Sequence, residues 1–184
     1  FGWTRSISSI QDAIVRLGTA RIFQMVLCMS VAPMVRKPIR GYGLDADFLW
    51  QHSISVAIGA EQIAVALQRS SAGDAFTAGL LHDIGKVVLG TFVDVDDEPI
   101  VRLVEERDMS FDEAEAEVLG IDHAEVGAIL LDQWNLPEDV VSAVRHHHTP
   151  PGGDDESLTA DLVHVADSLS MRAGLGLGID GLHY

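Results

Sequence analysis

Leu80-Leu81-His82-Asp83-Ile84-Gly85-Lys86 is the stretch on which the reading of this chain turns. Ala78-Gly79-Leu80-Leu81 is an apolar lead-in that would carry a histidine and an aspartate into the interior. A buried aspartate is costly unless something compensates its charge. Adjacent side chains on a helix point about 100° apart, so His82 and Asp83 can converge on one centre only where the helix slackens. Ile84-Gly85 supplies that slackening. A cation between the two side chains would answer the cost of burial. A hydrogen-bonded pair inside the core is the plainer alternative.

Other residues of the same chemistry lie along the chain. His52, His123, the run His146-His147-His148 and Asp167 each fall on, or at the end of, a helical pattern. Imidazole and carboxylate donors with no cysteine among them suit iron, manganese or zinc better than a sulfur-rich structural zinc site does. Facing helices of a bundle are a natural frame for such a centre. Each residue also has a plain reading. His123 can pack at a helix N-terminus, Asp167 can sit in a buried salt bridge, and Lys86 can pair with an acid rather than meet a phosphate. His146 is expected to face solvent.

Helical periodicity runs through almost the whole sequence, and β-branched alternation is scarce. Residues 6–18 carry serines at their start and Gly18 where a helix stops. A second helix is expected from Thr19 to Ala32, ending near Pro33. A connector follows around Lys37–Gly43, then a long helix from about Asp45 to Arg69 with Phe48, Leu49, His52, Val56, Ile63 and Leu67 toward the core. Asp74 is expected to cap the helix that holds Ala75 to Asp83. An acidic loop spans Asp94–Asp97, and Pro99 opens a helix. Ser110-Phe111-Asp112-Glu113 forms a capping box. Asp122 caps His123–Trp134, Pro137 opens a helix that ends at His146–His148, and a final helix runs from Ser157 to Ala173. Thr149–Glu156 and the tail Gly174–Gly178 read as loops, and Trp50 and Trp134 as core aromatics. The fold class is all-α: a multi-helix bundle in which residues 1–44 form an N-terminal helical annex and residues 45–184 the core.

Composition narrows the function. The 184 residues are 47% hydrophobic and 22% charged, which is globular. There are 28 acidic side chains against 12 basic, a net charge of −16. Such a field repels phosphate backbones and speaks against nucleic-acid binding. Residues 1–44 reverse the balance, with six basic side chains and only Asp12 against them. This piece and the acidic loop 94–98 are the candidate contact surfaces. Cys28, the single cysteine, reads as a small buried hydrophobe. The apolar stretch Ile22–Val35 is too short to span a bilayer, so no membrane association and a cytoplasmic location are expected. Phe1 in place of an initiating Met points to a fragment.

Taken with its neighbours, Leu80–Lys86 resembles the signature of the HD superfamily of metal-dependent phosphohydrolases. Leu49-Trp50-Gln51-His52-Ser53 resembles that superfamily's W-x-H-S segment, and Val165-Ala166-Asp167 the helix that ends its motif. Asp122–Ala128, Trp134-Asn135-Leu136-Pro137, the H-H-x-P match at His147-His148-Thr149-Pro150 and Ser9–Gly18 are similar to segments of the HDOD family of HD-related output domains. The resemblance implies an all-α HD-type bundle that works as a bacterial signalling output or adaptor module, with a protein partner and room for homo-oligomerisation. It implies His52, His82, Asp83, His123, His147, His148 and Asp167 as ligands to one or two divalent ions, and every such position is filled. The alternative it carries is a phosphohydrolase acting on a nucleotide or other phosphoester, with Asp83 and Lys86 as catalytic residues. The family's further N-terminal helices are missing, which implies N-terminal truncation. Thr149-Pro150-Pro151-Gly152-Gly153 stands where the related HD-GYP enzymes carry glycine-tyrosine-proline, so hydrolysis of cyclic di-guanylate is not expected.

Overall fold

The computed structural model describes residues 8–69, 71–92, 97–151 and 158–175. These form ten α-helices: α1 (Ile10–Leu17), α2 (Thr19–Val35), α3 (Phe48–Ala66), α4 (Ala72–Leu81), α5 (Ile84–Phe92), α6 (Asp97–Arg107), α7 (Phe111–Leu119), α8 (His123–Gln133), α9 (Glu138–Arg145) and α10 (Leu158–Arg172). A 3-10 turn, Arg40–Tyr42, lies between α2 and α3. No β-strand occurs among the described residues, so the chain is all-α as its periodicity predicts. No single helix among them is long and apolar enough to cross a membrane. Most of the acidic loop, most of the Thr149–Glu156 loop and the tail beyond Leu175 lie outside the described residues.

Local chemistry sets several boundaries where expected. The Ser9 hydroxyl accepts from the Asp12 N–H, and Gly18, at φ 82°, ends α1 and lets α2 leave at 116° to it. The Glu113 carboxylate accepts from the Ser110 N–H at 3.2 Å, closing the capping box of α7. Asp122 caps α8 by accepting from the Glu125 N–H at 2.7 Å.

Four expectations need correction. α2 runs through Pro33 to Val35, because the carbonyl deprived of a donor belongs to Met29, which is 74% exposed and can be met by water. α4 begins at Ala72 after Ser71, so Asp74 sits in its first turn, where an acid favours the helix dipole. Phe48, Leu67 and Trp134 lie toward solvent rather than in the core, since each stands at the end of its helix, past the face that packs. Cys28 is only half-buried, and its neighbours Met25, Val26 and Met29 are exposed, because α2 packs through Val31 and Val35.

The core is built on α3, α4 and α10, with α5, α8 and α9 closing over it. Fully buried Ala57, Ala60, Ala64, Ala75 and Ala78 allow the first helices to approach closely. Gly79 of α4 lies against the Ala57 backbone of α3, where a Cβ would come within 2.9 Å. Gly85 of α5 lies so near the His123 carbonyl of α8 that a Cβ would overlap its oxygen. These two contacts flank His82 and Asp83 on either side.

Candidate metal centre

His82 is the C-cap of α4, and Asp83 stands in the short break before α5 begins at Ile84. The slackening therefore falls at His82-Asp83 themselves and not at Ile84-Gly85, which open α5, and both side chains turn to the same interior point. The Gly79–Ala57 contact brings α3 and its His52 to one side. The Gly85–His123 contact brings the first residue of α8 to the other. His147 and His148 follow in the turn after α9, and Asp167 projects from α10. All seven predicted ligand residues meet there. His146 does not: it is the half-buried C-cap of α9 rather than a solvent-facing residue, its N–H bound to the Ser142 carbonyl.

The seven residues form two clusters. In the first, His52 Nε2 lies 3.0 Å from Asp167 Oδ1 and 3.2 Å from His82 Nε2. In the second, His123 Nε2 lies 2.8 Å from His148 Nε2, with His147 beside them. Asp83 sits between. Its Oδ2 faces the first cluster, 3.4 Å from His82 Nε2 and 3.8 Å from His52 Nε2. Its Oδ1 faces the second, 3.3 Å from His123 Nε2 and 3.9 Å from His147 Nε2. Lys86 Nζ, itself buried, donates to Oδ2 at 2.9 Å.

The outer nitrogens explain why the inner ones converge. Nδ1 of His82 bonds the Gly79 carbonyl at 2.8 Å, that of His147 the Val144 carbonyl at 2.7 Å, and that of His52 the Leu175 carbonyl at 3.1 Å. Nδ1 of His123 meets Glu115 Oε2 at 2.6 Å. A carbonyl or carboxylate on Nδ1 fixes a ring so that Nε2 points inward, the usual support of a metal-ligating imidazole.

Titration follows from these contacts. Burial raises Asp83, but His82 and Lys86 outweigh it and hold the carboxyl well below its ordinary range. Asp167 is likewise lowered against the effect of burial, chiefly by the hydrogen bond with His52. Burial disfavours a charged His123, yet Glu115 beside it raises the imidazole to about 10. Burial, then the charges of His82 and His123, push His147 down to about 3. His147 Nε2 thus presents a lone pair.

The fit to a metal ion rests on two buried atoms. Among the described residues, His147 Nε2 and Asp83 Oδ1 make no hydrogen bond of proper geometry. A lone pair and a carboxylate oxygen, both dehydrated and facing one another, are what a cation would satisfy. Three groupings, His52–His82–Asp167, His82–Asp83–His147 and His123–His147–His148, each place their donor atoms within 4.8 Å of one another. These His/Asp clusters can hold a divalent ion. They open into a cavity of about 230 Å³ whose wall includes Ser110, Asp112, Thr149 and His164.

Three supporting residues escape the motif reading. Glu115 is fully buried, and its place on the apolar face of α7 beside Phe111 and Ala114 is the signal that could have found it. Tyr42, in the connector, hydrogen-bonds the other Glu115 oxygen. His164 Nδ1 bonds the His147 carbonyl at 2.8 Å, one helical turn before Asp167.

Residues 1–150 match the HDOD domain family. The chain belongs to that family. Among solved structures it is similar to an HDOD domain protein of unknown function from Geobacter sulfurreducens, with 30% identity and a TM-score of 0.77, covering 95% of this chain and 58% of that one. It is also similar to a candidate phosphohydrolase from Shewanella amazonensis, with 27% identity and a TM-score of 0.77, covering 92% and 61% of the two chains. A Ribonuclease Y from Thermus thermophilus is 37% identical over 120 residues, 65% of this chain but 16% of that protein. The chain thus spans about six-tenths of the two solved proteins and a sixth of the ribonuclease.

Proposed function

We propose that this HDOD domain is a signal-transduction output or adaptor module whose centre holds one or two divalent ions, of iron, manganese or zinc. The observation that carries the metal reading is Asp83, whose two oxygens face different imidazole clusters. On this reading His52, His82, Asp83 and Asp167 hold one ion, and Asp83, His123, His147 and His148 the other.

The signalling half of the proposal is supported by what surrounds the centre. Lys86 is the one lysine or arginine among the described residues that line the cavity, and it already sits on Asp83. The same wall carries Asp83, Asp112 and Asp167. A phosphoester would meet more anionic than cationic side chains. The surface away from the centre exposes Phe23, Met25, Val26 and Met29 along α2, apolar area of the kind that protein contacts cover.

Hydrolysis of a phosphoester is the second reading, favoured by the completeness of the ligand set and by relatives named as a candidate phosphohydrolase and a ribonuclease. Bound ions would supply the charge to polarise a phosphoryl group and acidify water. Lys86 would then hold Asp83 ionised. Metal analysis of protein purified with added iron, manganese or zinc tests the centre, and absence of all three sinks it. A phosphoester and nucleotide screen separates the readings. Metal without turnover is expected, whereas turnover lost in Asp83→Ala would establish the enzyme.

A further inference from the structure

Of the ligand histidines His52, His82, His123 and His147, three rest their Nδ1 on backbone carbonyls and His123 rests its own on a carboxylate. That carboxylate is fully buried. Helix α7 ends at Gly120, φ 80°, and the chain turns back so that the first residue of α8 returns to the middle of α7. Glu115 Oε2 there accepts from both the His123 backbone N–H, at 2.7 Å, and its ring Nδ1, at 2.6 Å. One oxygen therefore satisfies a helix N-terminus and fixes an imidazole.

The other oxygen is held from a different part of the chain. Tyr42, 1% exposed, donates its hydroxyl to Oε1, and its ring packs on Phe111 at the start of α7 with centroids 5.9 Å apart. Tyr42 belongs to the 3-10 turn between α2 and α3. Ile39 and Leu44 close that turn by backbone bonds of 2.9 and 3.2 Å. The chain Tyr42–Glu115–His123 runs from the connector to the second cluster and leaves His123 Nε2 directed at Asp83 and His148.

A carboxylate behind an imidazole both locks the ring and makes its inner nitrogen a stronger donor. Loss of such a partner typically costs 10–100-fold in metal affinity. We propose that Glu115, steadied by Tyr42, is a positioning residue for His123 that sets how tightly the His123–His147–His148 cluster holds a divalent ion, tying occupancy there to the seating of the connector. The proposal rests on the two-ion reading given above.

Mn2+ titrated into the purified chain, followed by calorimetry and by electron paramagnetic resonance, tests it. The wild type is expected to bind two ions and to show a spin-coupled pair. Glu115→Gln is expected to bind the first ion as before and the second about 10–100-fold more weakly. Its coupled signal disappears at a Mn2+ concentration that saturates the wild type and returns with excess metal. Tyr42→Phe, which removes one hydroxyl, weakens the second ion about 5-fold, the equivalent of one ordinary hydrogen bond. A merely structural role would lower melting temperature without separating the two affinities. Equal affinities in Glu115→Gln and wild type, or a parallel fall in both, overturns the proposal while leaving the two-ion reading intact. A wild type that binds fewer than two ions overturns that reading, and the proposal with it. Should Glu115→Gln lose its helical circular dichroism, Tyr42→Phe decides: an unchanged second affinity refutes the proposal.

Discussion

The two halves of the centre are made of similar donors but are built differently. The His52–His82–Asp167 half comes from α3, α4 and α10, the helices that also form the innermost core. Its histidines lean on main-chain carbonyls, one inside α4 and one in the segment after α10. The His123–His147–His148 half comes from the start of α8 and the turn after α9; His147 leans on the Val144 carbonyl, but His123 leans on Glu115 and, through it, on the connector. Asp83 belongs to both. In the first half, close packing and main-chain carbonyls hold the histidines, whereas the second adds a buried carboxylate behind one of its histidines. Perturbing helix approach and perturbing the charges should therefore affect the halves unequally.

The largest effect is expected from Gly85→Ala. Its Cβ would overlap the His123 carbonyl oxygen and crowd the Gly127 backbone, atoms that cannot rotate away. We expect a loss of about 3 kcal/mol or more in denaturant unfolding, since overpacking against backbone lies at the upper end of such costs. Gly79→Ala meets the Ala57 backbone less severely and should cost about 1–3 kcal/mol. If Gly79→Ala proves the worse, α4 rather than α5 is the tighter joint, and the contrast between the halves inverts. Next comes Asp83→Ala, which removes the carboxylate shared by both clusters and by the buried Lys86. Metal content should fall from two ions to none, and metal-free stability by about 3 kcal/mol, as for a broken buried ion pair. Retention of one ion would show that the halves are independent.

How far the sequence discloses this arrangement depends on the residue. His82 and Asp83 are legible because an apolar lead-in and a following glycine leave few places for a buried acid. Asp122 and Gly18 are legible as caps, since their chemistry acts within one turn. The mutual placement of His52, His123, His147 and Asp167 is not a local property. Periodicity puts each on a helix, but only the resemblance among motifs joined them before the fold did. Glu115 shows the opposite limit. Nothing about a lone glutamate in the run Glu113–Glu117 marks it as buried, and only its register with Phe111 and Ala114 does so. Pro33 misled in turn, because whether a proline ends a helix depends on whether the bereft carbonyl can reach water, which the exposure of Met29 permits.

The smallest expected effect tests whether the second half depends on its rim. Arg145 of α9 pairs with Glu125 of α8 beside that cluster, and both side chains are about one-third exposed. A pair so placed is screened and contributes little, so Arg145→Ala should lower stability by less than about 1 kcal/mol. Neither residue touches an imidazole of the cluster in the contacts described above, whereas Glu115 touches His123 directly. Second-ion affinity in Arg145→Ala should therefore match the wild type in the same Mn2+ titration. A fall comparable to that of Glu115→Gln would mean that the α8–α9 packing, not the buried carboxylate, holds His123 in place.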